Sequence, residues 1–329
     1  MFRNLLSLTR RLAPNSRFFS HSELQPYLDF CGAWKRILEV PVASRVQGVN
    51  FDIGGTIADQ YCIAPFSAFK DAFSAKGFEL TEQQILGPMG MSKIKHIEHL
   101  LNDIKEQFYK KYGRVPGQHD VNEFYAAFLL LLPESIKQRT QLTPDTETAV
   151  NFILQSQIKL ALTSGYPRVA ADLASKEFRK LFPRYVSATA DETDGSRIAM
   201  IRQNNRNLDV AMSNSVFFTD SPYDISNTRS DGSCWVIGIY GSSVCMNITS
   251  ARVAETISEE ELIRRREQAK FELEKCSPHA VISDMRQLPF AIASVCEALH
   301  KGLKPETTKR ITIEFPEAKP NQASGRRYT

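Results

Sequence analysis

At 329 residues and 42% hydrophobic content, the chain can bury a sizeable core and is long enough for two domains. Its net charge of +4 sits at one end: removing residues 1–19 takes away four arginines and no acid, leaving 37 basic against 37 acidic residues, which argues against a basic nucleic-acid-binding surface. No apolar run approaches the roughly 18 residues of a membrane span, and the six cysteines form no Cys-x-x-Cys pair, so they read as reduced thiols rather than a disulfide or zinc framework.

Residues 1–22 contain Arg3, Arg10, Arg11 and Arg17, several Ser, Leu and Phe residues, and no acid. That is the composition of a mitochondrial transit peptide, with Arg17-Phe18-Phe19-Ser20 suiting cleavage after Phe19 and the mitochondrial matrix as destination. Residues 23–46 read as a lead-in anchored by Trp34 and Leu38, one helical turn apart. Gly48–Phe51 is a buried-strand candidate, ending at Asp52.

From Ala64 to Leu142 the pattern is helical. Phe66, Phe69 and Phe73 recur at helix spacing, as do Ile94, Ile97, Leu100 and Leu101. Asp120-Val121-Asn122-Glu123 has the form of a capping box. A helix end is expected at Asn151–Gln157, with further strands at Ile158–Thr163, Tyr185–Ala188, Ser215–Thr219, Cys234–Ile239 and Ala280–Ile282. A charged, solvated helix is expected over Glu255–Lys275 and a terminal helix over about Leu288–Leu299. Lys304–Thr329 is polar with no core-forming pattern.

Strands separated by helices predict a parallel sheet covered on both faces, with ligands outside the carboxyl ends of its strands. The predicted division is a core of residues 47–61 and 143–300, a helical insert of 62–142 and a polar tail of 301–329. Asp52, Thr163 and Asp220 all fall at predicted strand ends, so they can converge. In Asp52-Ile53-Gly54-Gly55-Thr56, an aspartate closes an apolar run and glycines follow, a turn whose amides can face a phosphate.

Asp52-Ile53-Gly54-Gly55-Thr56, the helical insert, Thr163-Ser164-Gly165 and Asp220-Ser221-Pro222-Tyr223-Asp224, in that order, resemble the haloacid dehalogenase superfamily. Gly87-Pro88-Met89-Gly90-Met91-Ser92-Lys93-Ile94-Lys95-His96-Ile97 resembles the cap segment of its phosphonoacetaldehyde hydrolases, the phosphonatases. Lys111-Tyr112-Gly113-Arg114-Val115-Pro116, Thr163-Ser164-Gly165-Tyr166 and Ile239-Tyr240-Gly241-Ser242-Ser243 extend the match over about residues 47–300. The resemblance implies an α/β fold, a Rossmann-like parallel sheet with an inserted α-helical cap. It also implies hydrolysis of the C–P bond of a small-molecule phosphonate, phosphonoacetaldehyde.

In that reading Asp52 attacks phosphorus and Lys93 forms an imine with the aldehyde, so that the departing carbanion becomes an enamine. His96 relays protons or positions substrate, Met89 and Tyr166 line the pocket, and Thr163, Ser164 and Gly55 lie about the phosphoryl group. A Mg²⁺ ion is expected on Asp52, the Gly54 carbonyl, Asp220 and, directly or through water, Asp224. The family's Gly-Arg-Pro segment is matched by Gly195-Ser196-Arg197-Ile198, with Ser196 at the arginine position and Arg197 one residue on. Phosphonatases pair through their caps, which implies a homodimer. The shifted arginine also raises a contrasting expectation, a degenerate relative acting as a structural or assembly subunit of a mitochondrial complex such as the mitochondrial ribosome.

Overall fold

The computed structural model describes residues 21–315, with side chains from Phe30 onward. The expected transit peptide lies outside the described residues except for its last two positions, as does the end of the tail, 316–329.

The helices, in chain order, are α1 (His21–Glu39), α2 (Ile63–Ser74), α3 (Glu82–Leu86), α4 (Lys93–Asp103), α5 (Lys105–Tyr112), α6 (Gln118–Lys137) and α7 (Thr146–Gln155), then α8 (Arg168–Ala174), α9 (Lys176–Leu181), α10 (Arg197–Leu208), α11 (Pro222–Asp231), α12 (Ala251–Thr256), α13 (Glu259–Lys275) and α14 (Leu288–His300). The strands are β1 (Gly48–Asp52), β2 (Lys159–Ser164), β3 (Val186–Thr189), β4 (Ser215–Thr219), β5 (Trp235–Ile239) and β6 (Ala280–Ile282). They form one sheet in the order β3-β2-β1-β4-β5-β6, every neighbouring pair parallel.

This order fixes where the site lies. After β1 the chain builds outward through β2 and β3, then returns to lay β4 on the other side of β1. The crevice beyond β1 and β4 is therefore the topological switch point of the sheet, where ligands of such folds bind. β1, β4 and β5 are buried along their whole length, as expected of strands covered on both faces. Asn50, the polar residue of β1, is satisfied inside the core: its amide donates to Asn205 Oδ1 at 2.9 Å, and its Oδ1 accepts from Asn204 Nδ2 at 3.1 Å.

Helices α2–α6 stand between β1 and β2 as the insert. Their core is aromatic, with Phe69 stacked on Phe128 (ring centroids 4.3 Å apart) and Phe73 against Phe124 (4.5 Å). Ala58 and Leu142 form an antiparallel bridge, so the outgoing and returning linkers run side by side.

Four expectations need correction. The lead-in is part of the core: α1 buries Phe30, Ala33 and Ile37, and Arg36 pairs with Glu297 of α14 at 2.6 Å, whereas Leu38 is 60% exposed and anchors nothing. Asp120 does not open its helix. It lies in the first turn of α6, accepting from Gly117 N–H at 2.7 Å and pairing with Arg114, which holds its carboxyl down at about 2. The charged segment breaks into α12 and α13, and α13 buries Ala269 and Leu273. The first part of the tail packs rather than hanging free: Ile311 N–H donates to His279 O at 2.8 Å, and Phe315 meets the Phe290 ring edge-on.

Candidate active site

Asp52 ends β1 in the crevice with little exposure. Its charge is met by Arg197, whose Nη1 lies 2.9 Å from Asp52 Oδ1 and 3.0 Å from Thr163 Oγ1. The other edge of the guanidinium holds both oxygens of Asp224, at 3.0 and 2.8 Å. Burial opposes the charge of Arg197, but Asp224 and Asp52 more than offset it and raise its pKa. Ser196 is the N-cap of α10, accepting from Ala199 N–H at 3.3 Å, and Arg197 is the first helical residue. The one-residue shift in sequence thus brings the arginine side chain into the crevice.

The same geometry redefines two expected residues. The Thr163 hydroxyl is engaged twice, donating to Phe51 O at 3.2 Å and accepting from Arg197, so it orients the arginine instead of facing the cavity. Both Asp224 oxygens accept from Arg197.

Asp220 follows β4 and is fully buried. Its Oδ2 accepts from Val244 N–H at 2.9 Å, and Cys62 Sγ approaches that oxygen to 3.6 Å. Burial, followed by the neighbouring charge of Asp52, pushes its carboxyl up to about 8. The loop after β5 braces it: Ser243 Oγ donates to Asp220 O and Ser242 Oγ to Gly55 O, each at 2.5 Å. Gly55 has a left-handed φ of +71°, and a Cβ there would stand 2.2 Å from Asp220 Oδ2. Its amide points inward to the Ala58 and Asp59 carbonyls, so the role of this glycine is to admit Asp220 rather than to hold an anion. A Cβ on Gly54 would make only an ordinary 3.5 Å contact with Cys62 Sγ.

The insert closes the crevice. Lys93 opens α4 and is buried, with Nζ 5.1 Å from the centre of the Tyr166 ring and 4.0 Å from Met89 Sδ. Side chains in the first turn of a helix lean past its N-terminus, which aims the amine into the crevice. Burial lowers the pKa of Lys93, and the positive end of the helix dipole acts in the same direction. Ser221 joins the two halves by donating to Met89 O at 3.0 Å, and a Cβ on Gly90 would collide with that hydroxyl.

Together Asp52, Gly54, Met89, Lys93, Ser164, Tyr166, Arg197 and Asp220 line one cavity of about 30 Å³. Cys62, Pro65, Gly90, Gly165 and Ser221 complete it, and sequence reasoning missed them as site residues. The Gly-Pro-Met-Gly context pointed to Gly90, but Cys62 arrives through a turn with left-handed φ at Asp59, Tyr61 and Cys62 that no local pattern announces. His96 is not among the lining residues. It is fully buried against Phe69, ring centroids 4.0 Å apart, with neither nitrogen in a hydrogen bond of normal geometry, and burial holds its pKa far below the usual histidine value.

Among the described residues no three His, Cys, Asp or Glu side chains form a ready metal cluster. The expected cation is nonetheless consistent with the donor set. Asp52 and Asp220 line one cavity, and the proton affinity of Asp220 is raised partly by the charge of Asp52, an excess of negative charge that a divalent cation would balance.

No protein-family profile matches the chain. It is 31% identical over 270 residues to the phosphonoacetaldehyde hydrolase of Bordetella pertussis, covering 79% of this chain and 96% of that protein. It is 29% identical over 274 residues to the enzyme of that name from Aliivibrio salmonicida, covering 80% and 99%. A phosphonoacetaldehyde hydrolase-like protein from Oleispira antarctica shares the fold, with a TM-score of 0.74 at 23% identity over 79% of this chain and 96% of that one. The chain belongs to the phosphonoacetaldehyde hydrolase family, within the haloacid dehalogenase superfamily.

Proposed function

We propose that this protein hydrolyses the C–P bond of phosphonoacetaldehyde to acetaldehyde and phosphate, with Mg²⁺ as cofactor, in the mitochondrial matrix. The observation that carries the reading is that a buried lysine with a lowered pKa and the carboxylate of Asp52 line the same cavity. An amine condenses with an aldehyde only when unprotonated, and burial favours that form of Lys93.

Lys93 adds to the aldehyde carbon and water leaves, giving a protonated imine. Asp52 then attacks phosphorus, and the C–P electron pair moves into an enamine instead of resting on carbon as a carbanion. Water hydrolyses the aspartyl phosphate. The enamine is protonated and its imine hydrolysed, releasing acetaldehyde and restoring the amine. Arg197 holds Asp52 in place and sets positive charge beside the phosphoryl group. Asp52, the Gly54 carbonyl and Asp220 would hold the Mg²⁺, which when bound neutralises phosphoryl charge. The cavity, of about 30 Å³, is lined by residues of both the insert and the strand ends, so substrate entry is expected to move the insert.

Acetaldehyde release is measured on wild type and Lys93→Ala with Mg²⁺ present, alongside borohydride trapping. Wild type should turn over and be labelled at Lys93, and the variant should do neither. No release and no trapping with wild type would sink the proposal. The location is checked by import into isolated mitochondria, with shortening by residues 1–19 expected.

A further inference from the structure

Three glycines line the catalytic cavity, and Gly54 differs from the other two. A Cβ on Gly90 would strike Ser221 Oγ from a left-handed backbone, and one on Gly165 would press on Met91 O at 3.2 Å. At those positions packed atoms leave no room for a side chain. Gly54 lies outside the left-handed region, and a Cβ there would meet one heavy atom of the described residues within 4 Å beyond its chain neighbours, Cys62 Sγ at 3.5 Å. Neither backbone nor packing requires glycine here, although glycine loses more conformational freedom on folding than any other residue. What its missing side chain leaves is a methyl-sized gap in the wall of the cavity.

The gap lies beside the path that the substrate must follow. Between a phosphorus attacked by Asp52 and an imine formed on Lys93, phosphonoacetaldehyde has a single carbon. Cys62, the far wall of the gap, stands near both ends of that path. Its Sγ is 3.6 Å from Asp220 Oδ2, Asp52 is among the charges that raise its pKa, and of the ionisable groups around Lys93 it acts most strongly. The linker that carries it is tied to the core, Tyr61 N–H donating to Ser242 O and Cys62 N–H to Asp59 O, both at 2.9 Å.

The same surroundings limit what the gap can take. Burial, followed by the charges of Asp220, Asp59 and Asp52, pushes the Cys62 thiol well above its ordinary pKa and keeps it neutral. Those carboxylates repel an anionic substituent. A small uncharged apolar group suits the space.

We propose that Gly54 is a specificity-determining position, which admits phosphonoaldehydes bearing a methyl group on the carbon between phosphorus and aldehyde as well as the unsubstituted compound. The inference rests on the reaction proposed above and extends its substrate class. For the methylated compound, 2-phosphonopropanal, the C–P bond breaks, its electron pair ends in a C–H bond once the enamine is protonated, and the oxygen of water ends on phosphorus. The products are propanal and phosphate, with no change of oxidant or reductant.

The test compares phosphonoacetaldehyde and 2-phosphonopropanal on the full-length protein with Mg²⁺ present. Wild type should release propanal with a kcat/KM within about tenfold of that for acetaldehyde release, the span of a tolerated methyl group. Gly54→Ala puts one methyl group into the gap and should lower the ratio of the two kcat/KM values by roughly 10–200-fold, the range for one methyl group too many in a fitted pocket. Both substrates are read on one sample, so a loss of folded protein cancels from the ratio. Borohydride labelling of Lys93 gives a second reading without turnover, in which Gly54→Ala should be labelled by phosphonoacetaldehyde in strong preference to the methylated aldehyde. No propanal release by wild type, or an unchanged preference in Gly54→Ala by both readings, would overturn the inference and leave the reaction standing. No acetaldehyde release from phosphonoacetaldehyde by wild type would instead overturn the reaction on which the inference rests.

Discussion

Arg197 stands between two buried carboxylates, and three charges of this kind are not interchangeable. Arg197→Met leaves Asp52 and Asp224 uncompensated, which should destabilise the fold by about 3–5 kcal/mol and lower turnover by roughly 10²–10³-fold. Arg197→Lys keeps a charge but loses the fork that bonds Asp224 with two nitrogens, so it should recover stability more than rate. Equal turnover by wild type and Arg197→Met would contradict the assignment. The adjacent glycines separate in the same way. Gly54→Ala should be nearly neutral in thermal unfolding and activity, whereas Gly55→Ala must collide with Asp220 from a left-handed backbone and should abolish turnover.

Asp59 gives a titration prediction. It accepts from the Ile63 and Ala64 N–H groups at the start of α2, yet burial pushes its carboxyl up to about 7 from an ordinary 3.8. A raised folded-state pKa contributes stability that is fully present below the unfolded value and lost as pH rises through the folded one. Stability should therefore fall between about pH 4 and pH 7, and Asp59→Asn should flatten that fall. An identical slope in the variant, read by urea unfolding at each pH, would exclude Asp59 as its source.

At the scale of elements, the join between insert and sheet rests on few polar contacts. Ser221 caps α11 and also donates to Met89 O, and Thr249 donates to Glu82 of the insert at 3.0 Å. Ser221→Ala removes both the cap and the cross-link. The loss of stability should be about 1 kcal/mol, typical of a cap, with faster hydrogen exchange over residues 87–93 as the separate sign of a loosened insert. Unchanged exchange there would show that the Met89 bond does not hold the insert closed. Helix α1 is attached more firmly: Phe30 packs edge-on against Phe152 and Phe290, so Phe30→Ala should cost about 3–5 kcal/mol.

For the whole molecule, the crevice gathers negative charge at the one point where the sheet order reverses. If Mg²⁺ binds there, it should raise the unfolding temperature of wild type, by up to about 2.7 kcal/mol of stabilisation at a hundredfold excess over its dissociation constant. Asp220→Asn should be at least as stable as wild type without the ion, because it removes a buried carboxyl whose pKa is raised, and should lose the response to Mg²⁺. An undiminished response in that variant would place the ion elsewhere.

The six strands and the insert were legible because apolar runs and helical spacing are local, and the strand bounds differ from expectation by only a residue. Asp52, Asp220, Lys93, Met89 and Tyr166 were legible because a motif names its own positions, and all five line the cavity. Leu38 and the tail were misread because periodicity in a short segment does not say which face meets the core. Tertiary structure alone decided that Arg197 reaches Asp52, that Thr163 and Asp224 serve the arginine, and that His96 stands behind the cavity. Those outcomes depend on where a helix starts and how side chains compete for partners across distant elements. Sequence determined which chemical groups this crevice receives; packing decided which of them face one another.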